Sequence, residues 1–211
     1  MLTDLNPVYD VHHTKLLLLM KRSDLSRKEA THERIVAAAA RAIRRRGYDG
    51  AGVAEIMKDA GLTHGGFYAH FESREAMLAE AADRAGAEAV AASERVAAAA
   101  PPSKALQCLL QAYLSKAHVG EAERCCPVVA LGSELPRQSA EVRRAATRRI
   151  KEMIDGVARH SSDWGQPQAH EHALVTVSTM VGALLLARAV DEPGLSNALR
   201  KAALGHLKAE K

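Results

Sequence analysis

The sequence predicts an all-α fold, and three observations carry the prediction. Alanine-rich runs such as RIVAAAARAI and EAVAASERVAAAA concentrate the strongest helix former, aromatic residues make up only 3% of the chain, and no β-branched block has the alternation of a strand. A chain of 211 residues, 47% hydrophobic and 26% charged, is long enough to bury a sizeable core and has the composition of a folded protein, neither disordered nor fibrous.

Residues 1–19, MLTDLNPVYDVHHTKLLLL, show no helical period, and Met20 opens a more typical basic start, so this segment reads as a flexible or mis-assigned extension. The first helix is expected from Arg27 to Arg46. Ile35, Val36, Ala39, Ala42 and Ile43 make one buried stripe, Gly47 ends the helix, and the three arginines of its last turn suit the negative end of the helix dipole. Two short helices follow, Val53 to Ala60 and His64 to Phe71, with Gly61 closing the first and Thr63 capping the second. That is the grammar of a helix-turn-helix. A long helix starts at Ser73, its cap, and runs until Pro101 and Pro102 break it. Beyond lie helices expected over Ser103–His118, from near Pro127, from Ser139 with the stripe Val142, Ala146, Ile150, Met153 and Val157, over Ala169–Ala189, and over Leu195–Lys208. The chain thus divides into the extension, a head over 20–85, and a second helical domain over 86–211 tied to it by the helix from Ser73.

Net charge is only +4, but Met20–Tyr48 carries nine Lys/Arg against three Asp/Glu, while Asp49–Ala85 carries three against seven. The basic excess sits at one end, where an anionic partner such as nucleic acid would meet it, although a solvated basic helix reads the same on charge alone. The apolar run KLLLLM is shorter than a secretory core and no small-residue cleavage site follows it, so a cytoplasmic chain is expected. His172–Ala187, the longest uncharged run, falls short of a membrane span and is expected to be a buried helix, with no membrane partner. Cys108, Cys125 and Cys126 are odd in number and lack metal spacing, which suggests reduced thiols. His170 and His172, two apart on a helix, cannot share a face. No metal and no cofactor are expected.

One stretch carries more chemistry than the rest. AGLTHGGFYAHF, Ala60 to Phe71, holds both phenylalanines of the chain directly behind two glycines. A helix that enters a major groove benefits from small residues at its leading end, and Gly65 with Gly66 supplies that clearance at about 1 kcal/mol each relative to alanine. Phe67 and Phe71 share a face and anchor the segment, while Tyr68 and His70 can reach phosphate oxygens. The longer run GYDGAGVAEIMKDAGLTHGGFYAHFESREAML, Gly47 to Leu78, resembles the DNA-binding domain of the TetR/AcrR family of transcriptional regulators. The resemblance implies a homodimeric regulator with an N-terminal three-helix head and a larger helical domain that binds an inducer and dimerises. By that likeness Thr63, His64, Gly65, Gly66, Tyr68 and His70 lie on or beside double-stranded DNA, and Arg74 opens the next helix near the backbone. The sequence departs from the family at Gly52, where a Thr or Ser is common, and at Gly66 and Ala69, where side chains able to read bases are common. Base readout then falls to His64 and to DNA shape.

The polar sector Gln107, Cys108, Gln111, Ser115 and His118 lies opposite the leucines of its helix and is either a wet surface or, by the family likeness, the wall of a ligand cavity. Cys126 precedes Pro127 at a helix start, where amides and dipole can lower a thiol pKa, so sensing of oxidants or electrophiles is the alternative to a reversible inducer. A thiol enzyme using Cys126 with His118 lacks an orienting acid and any catalytic signature, so no catalytic residue is assigned. A constitutive DNA-binding protein is the remaining rival. The dimer is expected through the last two helices, with Leu174, Val177, Val181 and Leu185 as the apolar stripe and Gly182 and Ala183 permitting close approach, a four-helix bundle in all.

Overall fold

The computed structural model describes the backbone of residues 8–209 and side-chain surroundings over 26–209. Nine α-helices appear among the described residues, and no strand: α1 Val8–Arg46, α2 Val53–Asp59, α3 Arg74–Ala98, α4 Ala105–Tyr113, α5 Lys116–Gly120, α6 Pro127–Leu131, α7 Ala140–Arg159, α8 Ala169–Ala189 and α9 Pro193–Ala209. The all-α expectation holds. Gly47 and Gly61 both adopt positive φ, +79° and +71°, and turn the chain out of α1 and α2. Ser73 caps α3 by accepting from the Ala76 amide at 3.0 Å.

Four expectations about elements need correction. First, α1 begins at Val8 and not at Arg27, so residues 8–19 of the expected extension continue that helix, while residues 1–7 lie outside the described residues. A run such as KLLLLMKR is rich in strong helix formers, and propensity extends a helix without any amphipathic period. Second, His64–Ala69 is a 3-10 helix, not an α-helix; two adjacent glycines in six residues are too poor in α-propensity to hold the wider turn. Third, Thr63 occupies the cap position of that turn, but its side chain makes no capping hydrogen bond.

Fourth, the helix expected over Ser103–His118 is broken. A 3-10 turn occupies Pro102–Lys104, α4 stops at Tyr113, and α5 restarts at Lys116 with Ser115 as its cap. An unbroken helix would pair the Tyr113 and Leu114 carbonyls with amides four residues on. Instead the His118 ring meets the Tyr113 carbonyl at 2.7 Å, Arg200 of α9 donates to the Leu114 carbonyl at 2.8 Å, and Ser115 Oγ accepts from the His118 amide at 3.2 Å. Side chains thus recover the carbonyls of Tyr113 and Leu114 and the amide of His118 at the break.

Two hydrophobic clusters organise the molecule. One gathers α1, α2, the 3-10 turn and the first half of α3, and it also takes in Leu131, Val142 and Ala145 from α6 and α7. The other gathers α4, Cys125, Cys126, the end of α7, α8 and Leu207 of α9. Helix α3 runs from the first cluster toward the second and packs along α7, where Gly86 admits the Arg149 side chain at a distance no Cβ would allow.

Candidate functional site

The tip of the head is built on its aromatics. Phe67 and Phe71 are buried with rings 5.5 Å apart, and Phe71 stacks on His32 of α1 at 4.5 Å. His32 in turn meets Glu80 of α3 at 2.6 Å, so the short turn is clamped between two long helices. With the phenylalanines committed inward, Thr63, His64, Gly65 and Tyr68 face outward, Tyr68 being 75% exposed. Neither Gly65 nor Gly66 has positive φ. A Cβ on Gly65 would meet nothing within 4 Å, and one on Gly66 would meet only the Met57 methyl at 3.7 Å. The fold itself asks for no glycine at either position.

Two of the expected DNA-side residues are half-buried. His70 Nδ1 is buried without a partner and its ring lies 6.1 Å from that of His32; burial first, then His32 and Lys28, lowers its pKa. Arg74 donates to the Tyr48 carbonyl and so ties the start of α3 to the turn after α1. The basic excess of α1 is also partly spent inside the molecule. Arg44 pairs with Glu88 at 2.5 Å, Arg45 with Glu123 at 2.9 Å, and Arg46 with Glu55. Lys28, Arg34 and Arg41 are exposed on the same helix. Gly52 stands at the cap position of α2, which has no side-chain cap.

Behind the head lies a cavity of about 550 Å³ between α3, α4, α5, α6, α7 and α8. Its apolar wall includes Leu109, Val128, Met153, Val157 and Met180, and Ser115, His118 and Cys126 also line it. Gln107, Cys108 and Gln111 do not. The sector expected to act together is split because the chain turns at Leu114, so residues before and after the break no longer share one helical face. Among the lining residues that escaped sequence reading are Arg44 of α1 and Glu88 of α3. Arg44 is 7% exposed, the one buried charged residue among those described, and its run of neighbouring arginines disguises it as a solvated helix end.

The thiols are not set up as nucleophiles. Burial pushes Cys125 up to about 11 and also raises Cys126, outweighing the help that Cys126 receives from Tyr113 and from the Val128 and Val129 amides. The expected lowering by the helix start is corrected on that ground: α6 has only five residues, and desolvation of the thiolate is the larger effect. His118 accepts from the Cys126 backbone amide through Nε2 at 3.1 Å, which assigns the proton to Nδ1, donating to Tyr113. Both ring nitrogens are occupied, so this imidazole is a strut and not a base for Cys126. Among the described residues no group of three or more His, Cys, Asp and Glu is placed to hold a metal.

At the far end, α8 buries Ala173, Val177, Met180, Leu184 and Ala187 along one stripe. Val177, expected at a dimer surface, is therefore core. The face opposite carries Leu174, Val175, Leu185 and Leu186, all exposed, and α9 adds exposed Leu195 beside Ala198, Ala202 and Gly205 on one side. By length and composition alone α8 is apolar enough to cross a membrane, contrary to the shorter run read from sequence, but its buried stripe packs on α7 and α9.

Residues 35–81 match the family profile described as bacterial regulatory proteins, tetR family, and residues 102–202 match one described as transcriptional regulator LmrA/YxaF-like, C-terminal domain. The chain is 32% identical over 168 residues to the HTH-type transcriptional regulator Rv0196 of Mycobacterium tuberculosis, covering 76% of this chain and 85% of that one. Among solved structures it resembles the reduced form of Escherichia coli NemR, with a TM-score of 0.72 and 21% identity over 85% of this chain and 96% of that one. A TetR transcriptional regulator from Chloroflexus aurantiacus superposes with a TM-score of 0.69 at 24% identity, over 87% of this chain and 95% of that one.

Proposed function

We propose, from the premise that this chain belongs to the TetR family of DNA-binding transcriptional regulators, that it is a homodimeric repressor released from a palindromic operator by a small-molecule inducer. The observation that carries the reading is the glycine pair at an exposed tip that the fold does not need. Clearance there has a use only if something outside the protein comes close, and a groove floor is such a surface. Thr63, His64, Gly65, Gly66 and Tyr68 form the contact, with His70 and Arg74 holding the tip from behind. Two tips must sit about one duplex turn apart, roughly 34 Å, which a dimer through the exposed faces of α8 and α9 would set.

The cavity offers a route for release. Arg44 belongs to the first helix of the head yet lines the cavity, so a ligand inside touches the head directly and a small displacement of α1 alters the spacing of two tips. Control through Cys126 is the weaker reading, because its thiol is buried and held protonated. The proposal is tested by titrating the protein against the intergenic DNA next to its own gene. Tyr68→Phe should weaken binding to all DNA about equally, through loss of a phosphate contact, whereas His64→Ala should change sequence preference. Unchanged operator affinity in both variants would remove the docking.

A further inference from the structure

We infer that the cavity takes a net-neutral, predominantly apolar ligand, and that Glu88 sets this preference by cancelling the charge of Arg44. The inference rests on reading the cavity as the inducer site. Four arginines and four glutamates line the cavity, and their charges sum to zero. Three of the glutamates are already spent: Glu88 holds Arg44 at 2.5 Å, Glu152 holds Arg149 at 2.7 Å, and Glu94 holds Arg159 at 2.7 Å. The remaining lining charges, Arg95, Glu121 and Arg124, are solvent-exposed, where water and salt screen them.

Nothing in the interior supplies a free counter-charge. His118 stays neutral because protonating Nε2 would set an N–H against the Cys126 amide that now donates to it. The burial that lowers its pKa works in the same direction. An ionic ligand would lose its hydration and find every interior partner occupied, whereas an apolar body gains from Leu109, Val157 and Met180. Glu88 decides the matter because Arg44 is the buried charge of the wall. Burial works to raise the Glu88 carboxyl, but the guanidinium groups of Arg44 and Arg84 outweigh it and hold it ionised. Neutralise Glu88, and a buried guanidinium faces the cavity unpaired, which is an anion site.

Two fluorescent probes with one aromatic body and different charge test this on the full chain: neutral N-phenyl-1-naphthylamine and its anionic relative 1-anilinonaphthalene-8-sulfonate. The neutral probe is expected to bind the unmodified protein at least about tenfold more tightly, and Ala112→Trp, which fills the cavity from its lining, should abolish that binding. Glu88→Gln should shift the preference at least about tenfold toward the sulfonate, and adding Arg44→Gln to it should restore the original ratio. Arg44→Gln alone, which leaves Glu88 paired only with Arg84 and so adds negative charge at the wall, should exclude the sulfonate further and serves if Glu88→Gln does not fold. A sulfonate preference in the unmodified protein, or a ratio that charge changes at these two positions do not move, overturns the inference and leaves the cavity standing as a ligand site. Failure of both probes to bind, or binding that survives Ala112→Trp, overturns the inference and the cavity reading together.

Discussion

The two hydrophobic clusters are made of different material. Among the described buried residues, ten of the twenty-two in the head cluster are alanines, against two of fourteen in the other. Alanine lets helix backbones approach closely and leaves little room between them, whereas Leu, Met, Val and Tyr on kinked and short helices hold the backbones apart. The cavity of about 550 Å³ lies beside the second kind of packing. The lesson is that the tight half can hold a fixed tip while the loose half has space to accept a ligand.

The comparison breaks most sharply if the head proves tolerant. Phe71→Ala removes a buried ring stacked on both Phe67 and His32 and should cost about 3–5 kcal/mol, read as a lowered midpoint in urea unfolding. Met180→Ala, beside space that already exists, should fall at the low end of the range for such truncations, about 2 kcal/mol. Equal losses would mean that the two halves are packed alike.

Next in size is an effect on assembly. Leu186 is 50% exposed, so Leu186→Glu should leave the folded protomer intact while producing monomers by light scattering and weakening operator binding at least about tenfold. At the tip, Gly65→Ala should raise stability by up to about 1 kcal/mol, since the new methyl meets nothing, and yet lower DNA affinity. A variant that gains stability and keeps full affinity would show that the clearance is not used.

Each half also holds a histidine whose pKa burial lowers, His70 in the head and His118 by the cavity. The unfolded chain then binds protons first as pH drops through the ordinary value of 6.5, so stability is present above that value and is lost below it. His118 has both nitrogens engaged, so His118→Gln should reduce the pH dependence of the melting temperature between pH 7 and 5.5. A dependence unchanged in that variant would place the acid sensitivity elsewhere. The smallest effect is expected for Gly52→Ser, where a Cβ meets nothing within 4 Å and a hydroxyl can cap α2, a gain of a few tenths of a kcal/mol.

The same contrast explains what the sequence made legible. In the head, Gly47, Gly61, Ser73 and the Phe67–Phe71 pair act on neighbours within a turn or two, so spacing alone placed them as two helix ends, a cap and a shared buried face. In the second half, the decisive partners are distant. The stop after Tyr113 depends on Arg200, and the burial of Arg44 depends on Glu88, neither of which any local window contains. The stripe on α8 misled for a related reason. An almost wholly apolar helix has little contrast between faces, and only the packing of α7 and α9 decides that Val177 points in and Leu186 out.

Glu134, in the turn after α6, reaches back to the head and accepts from the Tyr48 amide at 2.8 Å, and Leu131, Val142 and Ala145 complete the core beneath it. For anyone wishing to transplant the head onto a foreign sensor, this sets where the seam can go. A graft cut after Ala85 would carry a core with an open socket and a turn stripped of its carboxylate, so the exchangeable cassette must include the segment from Leu131 to Ala145, or a host that supplies the same side chains in the same places.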